Sequence, residues 1–268
     1  SDLVNESYGT LLIFTDASSL VNKQAVRQIV YSFSSCDIGV VSGELVPDTE
    51  GGELSVMGAY RRCENRLRRL ESMLHSSIGA TGGLYGIRRE LFSKIPNNTI
   101  LDDFVIPLKT VLAGKRILVC PEAKFSEMET CSLDLEFNRK VRTLAGNYQA
   151  VQWLWKLYLP GLSPVWFQLL SHKLLRLLTP YLMLIIFILN ISLITKNSVY
   201  SAFFTIQIIF YVSAATGFII RKTNIQAKIF LMPFLFVFLQ LANLMSLYMY
   251  LSGRINTKWD RIASTISD

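Results

Sequence analysis

The chain has 268 residues, 51% of them hydrophobic, and a formal net charge of +7 at neutral pH. The charge is uneven: residues 1–160 carry 18 basic and 18 acidic side chains, whereas residues 161–268 carry 9 basic and 2 acidic ones. Because the basic residues of the second half flank apolar segments, they indicate lipid headgroups as partners and argue against nucleic acid. The four cysteines form no Cys-x-x-Cys pair, so we expect reduced cytosolic thiols rather than a disulfide framework or a zinc site.

The first predicted strand, Leu11–Phe14, is a short apolar run that leads into Thr15-Asp16-Ala17-Ser18. A buried strand that ends on an acid places a carboxylate at the carboxyl edge of a sheet, where open α/β sheets hold their ligands. Asp16 is therefore the first candidate binding residue.

Helix and strand patterns alternate over the next hundred residues. In order they predict a helix at 22–33, a strand at 37–43, a loop at 47–52, a helix at 54–74 and a strand at 116–119 that ends at Pro121. The helix at 54–74 carries Arg62, Arg66 and Arg69 along one side. We expect a solvated face held by Glu64 and Glu71, with a headgroup or substrate contact as the alternative.

Two segments between these elements are candidates for a site. Gly79, Gly82, Gly83 and Gly86 permit tight turns and close approach of another molecule, although strands beside a core helix often carry such glycines. The pair Asp102-Asp103 precedes a helix predicted at 106–113, with Pro107 in its first turn. Adjacent acids at a helix start are commonly only caps, so a structural role and a catalytic role both stay open here.

An amphipathic helix is predicted from Glu136 towards Trp155. Its basic group Arg139, Lys140 and Arg142 could neutralise a phosphate-rich ligand or face lipid headgroups. Aromatic residues typical of a membrane interface follow it.

Three uncharged segments, 177–195, 199–220 and 229–251, each approach the roughly 20 residues that span a bilayer. We therefore expect transmembrane helices. A small transporter is disfavoured, because no ionisable residue lies inside these segments. Simple spans would place the basic tail opposite a cytosolic soluble half, against the positive-inside tendency. Either the tail departs from this tendency or the third segment is not a simple span. Pro233, Gln240 and Asn243 lie inside this segment, which leaves two readings open: a re-entrant or broken helix, or a span whose polar residues join helices.

The order of these features resembles the membrane-embedded family 2 glycosyltransferases, the group that includes cellulose and hyaluronan synthases. The resemblance rests on Phe14-Thr-Asp-Ala-Ser18, Gly79–Arg89, Leu101-Asp102-Asp103, Arg139-Lys140-Val-Arg142 and Ser171-His-Lys-Leu-Leu-Arg176, in that order. It implies an α/β GT-A-like fold, with a partial Rossmann-like sheet, over 1–135. Amphipathic interface helices at 136–176 and a transmembrane region at 177–268 would follow.

The resemblance also implies roles for the acids. Asp16 resembles the first acid of the DxD motif, which holds the sugar nucleotide and a divalent cation, Mg²⁺ or Mn²⁺. Ser18 replaces the second acid and is a weaker ligand. Asp103 matches the general base that deprotonates the acceptor hydroxyl, and Asp102 occupies the neighbouring Glu position on the acceptor side.

The remaining motif positions concern the diphosphate and the acceptor. Arg142 matches the arginine of the Gln-x-x-Arg-Trp motif, which contacts the diphosphate, while Arg139 replaces the Gln and Thr143 the Trp. The missing Trp weakens the case for a processive polymer synthase. Gly82 and Gly83 match the acceptor-side wall.

The function that the resemblance implies is inverting transfer of a sugar from a nucleotide-diphosphate donor to a glycan or lipid acceptor at the cytosolic membrane face. No segment before Leu11 matches the strand and helix that hold the nucleobase in such enzymes. We therefore expect the C-terminal portion of a longer enzyme, inactive alone. The alternative is a non-catalytic membrane subunit or truncated remnant that binds glycan or a partner.

Overall fold

A five-stranded mixed sheet organises the first half of the chain. The computed structural model describes residues 2–46, 52–127, 133–221 and 228–255. The strands are β1 (Leu11–Thr15), β2 (Ser19–Val21), β3 (Ile38–Leu45), β4 (Leu84–Arg88) and β5 (Arg116–Glu127). Their order across the sheet is β1-β4-β3-β5-β2, in which only the β3–β5 pair is parallel.

Helices cover both faces of this sheet and form the second half. They are α1 (Asp2–Glu6), α2 (Ala25–Ser32), α3 (Gly52–Leu74), α4 (Asp102–Leu112), α5 (Leu133–Trp153), α6 (Trp166–Gln168), α7 (Leu175–Leu193), α8 (Ser198–Ile220) and α9 (Lys228–Leu251). A π-helical segment, Leu169–Leu174, joins α6 to α7.

Alternating side chains of the central strands build two apolar layers. On one face, Tyr85 and Ile87 of β4 pack with α4 residues such as Phe104. On the other face, Leu84 of β4 packs with Ala25 and other α2 residues. The period-2 alternation of β4 thus fixes which of its residues lie beneath α4, where the paired acids are.

Among the element boundaries that differ from the predicted ones, three have a clear structural basis. The helix predicted from residue 22 begins at Ala25, because β2 pairs with β5 up to Val21 and residues 22–24 form the turn that follows. α4 begins at Asp102, so both acids lie in its first turn and Pro107 lies inside the helix. β5 continues past Pro121 because the β3–β5 register shifts there, and a bulge tolerates a residue without an N–H group.

The structure describes three of the four cysteines. Cys36, Cys63 and Cys120 are free, and only Cys120 is buried. Cys131, residues 47–51 of the loop predicted at 47–52, and the basic tail beyond 255 lie outside the described residues, whereas Gly52 begins α3.

Within the described residues, three helices are long and apolar enough to cross a membrane. They are Trp166–Leu193, Ser198–Ile220 and Ile229–Leu251, with mean hydropathies of 2.1, 1.9 and 2.0. The predicted segments match α7, α8 and α9. Pro233 does not interrupt α9, which is one continuous helix.

The last of these helices packs along α5 in a parallel direction. Phe137 of α5 meets Phe238 of α9 at 5.2 Å between ring centroids, and Tyr148 meets Tyr250 at 6.3 Å. The helix with the basic Arg139–Arg142 group is therefore held along its length by the third apolar helix.

Asn243 joins α5, α7 and α9. Pro180 has no N–H group, so it cannot bond the carbonyl of Arg176 four residues earlier. The buried amide of Asn243 donates to that carbonyl at 3.0 Å and to Leu177 at 3.1 Å, and its oxygen accepts from the Tyr148 hydroxyl at 3.0 Å. Asn243 therefore fits the reading in which the polar residues of the third apolar segment join helices.

Candidate active site

Two carboxylates converge on Gly82, in the turn before β4. A Cβ atom built on Gly82 would lie 3.1 Å from Asp103 Oδ2 and 3.5 Å from Asp16 Oδ2. Asp16 follows β1 directly and Asp103 lies in the first turn of α4, so the sheet edge and the helix start meet there. A glycine at this position leaves both carboxylates accessible to a ligand.

α3 holds the backbone around Gly82 through the side chain of Arg68. Arg68 donates to the carbonyl of Gly79 and to Ser42 Oγ, both at 3.2 Å, and to the hydroxyl of Thr81. The N–H of Ala80 donates to the carbonyl of Asp103 at 3.0 Å. One buried guanidinium therefore fixes the turn that approaches the base candidate.

Asp103 has an environment suited to accepting a proton. Burial and the neighbouring charge of Asp102 raise the pKa of Asp103 to about 6, with a further contribution from Asp16. Lys173 and Arg68 oppose this rise. A carboxyl group with this pKa is ionised at neutral pH yet basic enough to serve as a general base.

The pKa of the Asp16 carboxyl is also raised above its ordinary value. Its pKa is raised by partial burial, then by the charges of Glu127 at the end of β5 and of Asp102. The sheet edge therefore concentrates negative charge, and binding of a cation there would offset it.

The two arginines of α5 have different surroundings. Arg142 interacts with the charges of Asp102 and Asp103, while burial lowers its guanidinium pKa. Arg139 is instead paired with Glu127 at 3.5 Å and Glu136 at 3.3 Å. Arg142 thus lies on the acid side of the site, and Arg139 is already engaged by two carboxylates.

The structure gives less direct support for two other predicted site residues, Gly83 and Ser18. A Cβ on Gly83 would lie 2.1 Å from the ring of Phe125, so Gly83 is required for packing beneath β4. Ser18 is exposed in the turn after Asp16, where the N–H of Ser19 donates to the carbonyl of Asp16 at 3.0 Å. Their assigned roles stay predictions.

The arginine stripe on α3 forms the expected solvated face, but its acidic partner is not one of the two expected glutamates, Glu64 and Glu71. Arg62, Arg66 and Arg69 are exposed, and Arg69 pairs with Glu44 of β3 rather than with a residue of its own helix. Arg68, one position away, is the arginine that enters the site. Sequence periodicity gave no signal that separates these neighbours.

The residues fit a divalent cation that shares its coordination with substrate phosphates. In the described part of the chain, no three His, Cys, Asp or Glu side chains form a group that could hold an ion alone. Mg²⁺ commonly takes one or two carboxylates and completes its shell with water and phosphate oxygens. Asp16, in its acid-rich surroundings, supplies a carboxylate of this kind.

Comparison with known proteins supports the family 2 level of the resemblance. A mannosyltransferase, PcManGT from Pyrobaculum calidifontis, solved in complex with GDP-Man and Mn²⁺, superimposes with a TM-score of 0.64 at 17% identity. The match covers 95% of this chain and 66% of that protein, so this chain spans slightly less than two thirds of its length. It shows a GT-A-like glycosyltransferase fold. No curated protein matched significantly. The model of the Glycosyl transferase family group 2 matches residues 11–253, and the chain belongs to this family.

Proposed function

We propose that the protein transfers a sugar from a nucleotide-diphosphate donor to a glycan or lipid acceptor at the cytosolic face of a membrane, with inversion at the anomeric carbon. The convergence of Asp103 and Asp16 on Gly82 carries this proposal. Two carboxylates near one glycine support the proposal, in which Asp103 accepts the proton and Asp16 binds the cation. The three long apolar helices support the membrane location.

Asp103 acts as the general base. Its carboxylate takes the proton of the acceptor hydroxyl while that oxygen forms a bond to the anomeric carbon of the donor. The bond between this carbon and the diphosphate oxygen breaks, and the nucleoside diphosphate leaves. A positioned base of this kind contributes typically about 100- to 10,000-fold to the rate.

Arg142 and Asp16 act on the leaving group. The guanidinium of Arg142 lies near Asp102 and Asp103 and would contact the departing diphosphate. Asp16 would hold Mg²⁺ or Mn²⁺, which supplies positive charge to that diphosphate. Gly82 and Asp102 form the acceptor side, where the lack of a side chain at Gly82 admits the acceptor.

The test is a transfer assay on membranes that contain the full-length protein, with a panel of labelled nucleotide sugars. GDP-mannose is the first donor to try, because the structurally similar mannosyltransferase was solved with it. We expect transfer by the wild type and loss of transfer in Asp103→Asn, with donor binding nearly intact. Near-normal turnover in Asp103→Asn would rule out its role, and donor binding without any transfer by the wild type would favour a non-catalytic subunit.

A further inference from the structure

Two basic side chains of the π-helical segment Leu169–Leu174 contact helices that belong to the sheet-containing half of the chain. The segment directly precedes α7, within the long apolar helix Trp166–Leu193. π-helical turns are rare and occur frequently at functional sites. Here the turn includes His172 and Lys173, whose partners lie on α3 and α4.

His172 fixes the turn to α3. Its Nδ1 atom lies 2.6 Å from Oε1 of Glu71, whose side chain is only 4% exposed. The other oxygen of Glu71 accepts from the N–H of Ile78 at 3.4 Å. The same carboxylate thus contacts both the π segment and the chain that leads to Gly82.

Lys173 lies against the start of α4. Its Nζ atom is 4.8 Å from the centroid of the Phe104 ring, and Phe104 is a buried residue that directly follows Asp103. The charge of Lys173 interacts with the carboxylates of Asp103 and Glu64. The ammonium group therefore acts on the base candidate from the side of the first apolar helix.

We propose that Lys173 is a positioning residue for Asp103, and that the His172–Glu71 pair holds Lys173 in place. This inference rests on the proposed function, in which Asp103 is the base. Under this inference, the helix Trp166–Leu193 contributes to the catalytic arrangement and is also a membrane segment. The ammonium orients the carboxylate towards the acceptor, and the ring of Phe104 limits where the ammonium can lie.

Transfer kinetics test the positioning role. Lys173→Met is expected to lower kcat by about 100-fold with little change in the donor KM, since displacement of a reacting group by about 1 Å has effects of this size. Lys173→Arg should recover most of the loss because it restores the charge. Lys109→Met, in the last turn of α4, is the matched control and should stay near wild type. An unchanged kcat in Lys173→Met, or equal losses in the Met and Arg variants, would overturn the proposal.

A thermal double-mutant cycle tests the same contact without any assay of transfer. In detergent, Lys173→Met should lower Tm more in the wild type than in Asp103→Asn, because removal of the ammonium leaves the partly buried carboxylate of Asp103 without this neighbouring positive charge. Equal changes in the two backgrounds would overturn the proposal. Lys173→Gln serves as the neutral variant if the Met variant does not fold. If the wild type transfers no sugar, the proposed function fails, and the cycle still decides whether Lys173 acts on Asp103.

Discussion

The side-chain amide of Asn243 donates to the backbone carbonyl of Arg176, which Pro180 leaves without a helical partner. Because this carbonyl lies among apolar helices, loss of the amide should cost about 1–3 kcal/mol. We expect Asn243→Leu to lower Tm in detergent. Pro180→Ala supplies an N–H group for the same carbonyl, so Asn243→Leu should cost less in that background. The same cost in both backgrounds would show that the proline and the amide are independent.

The pH dependence of transfer should follow Asp103. Burial and the charge of Asp102 raise the pKa of Asp103 from its ordinary value of 3.8 to about 6, so the carboxyl is protonated, and unable to accept a proton, below about pH 6. The acid limb of kcat/KM should therefore fall about tenfold per pH unit below this value. A profile that is flat between pH 4 and pH 7 would contradict this assignment.

Removal of divalent cations should abolish transfer. Asp16 supplies one carboxylate, and Ser18 stands where the family motif has a second acid, so we expect cation binding to be weak without the nucleotide. Titration calorimetry with Mn²⁺ should show tighter binding when the nucleoside diphosphate is present, and Asp16→Asn should remove this difference. Full activity in excess chelator would contradict the role of the metal.

The hydroxyl of Tyr85 should contribute nothing to stability. It is buried beneath α4 and has no hydrogen-bond partner among the residues that the structure describes. Burial and the charges of Asp102 and Asp103 raise the pKa of this phenol, so it stays neutral. We expect Tyr85→Phe to leave Tm unchanged or higher, because it removes an uncompensated polar group. Tyr158→Phe is the control, because the Tyr158 hydroxyl is also buried without a hydrogen-bond partner among the described residues. A marked fall in Tm for Tyr85→Phe alone would show that the Tyr85 hydroxyl does have a partner.

Carbonate extraction should leave the protein in the membrane pellet. The segments Trp166–Leu193, Ser198–Ile220 and Ile229–Leu251 present large apolar side chains at their surfaces, as residues in lipid do. Salt extraction is the control for merely electrostatic attachment. Release into the supernatant at high pH would show that the three helices are peripheral.

Local patterns in the sequence predicted much of this architecture. The end of β1 just before Asp16 and the three apolar helices follow from runs of apolar residues, which depend on near neighbours only. The resemblance to a known family drew attention to Asp103 and Arg142. What local patterns could not supply is the pairing of distant residues. His172 and Glu71 are 101 positions apart, and no periodicity links them.

The same limit applies within single elements. The arginines of α3 have similar sequence surroundings, yet Arg69 is exposed and paired with Glu44, whereas Arg68 holds the turn before Gly82. The course of β5 through Pro121 depends on the register with β3, which is a property of two strands together. Such features arise from tertiary packing.

The parallel contact between α5 and α9 has a consequence for how the molecule unfolds. Rings at both ends of the contact, and the hydrogen bond from Tyr148 to Asn243, join the helix of Arg142 to the last apolar helix. The sheet and the apolar helices should therefore melt in one cooperative transition instead of two. A water-soluble catalytic core obtained by cutting before α7 would lose this support and expose the apolar side of α5.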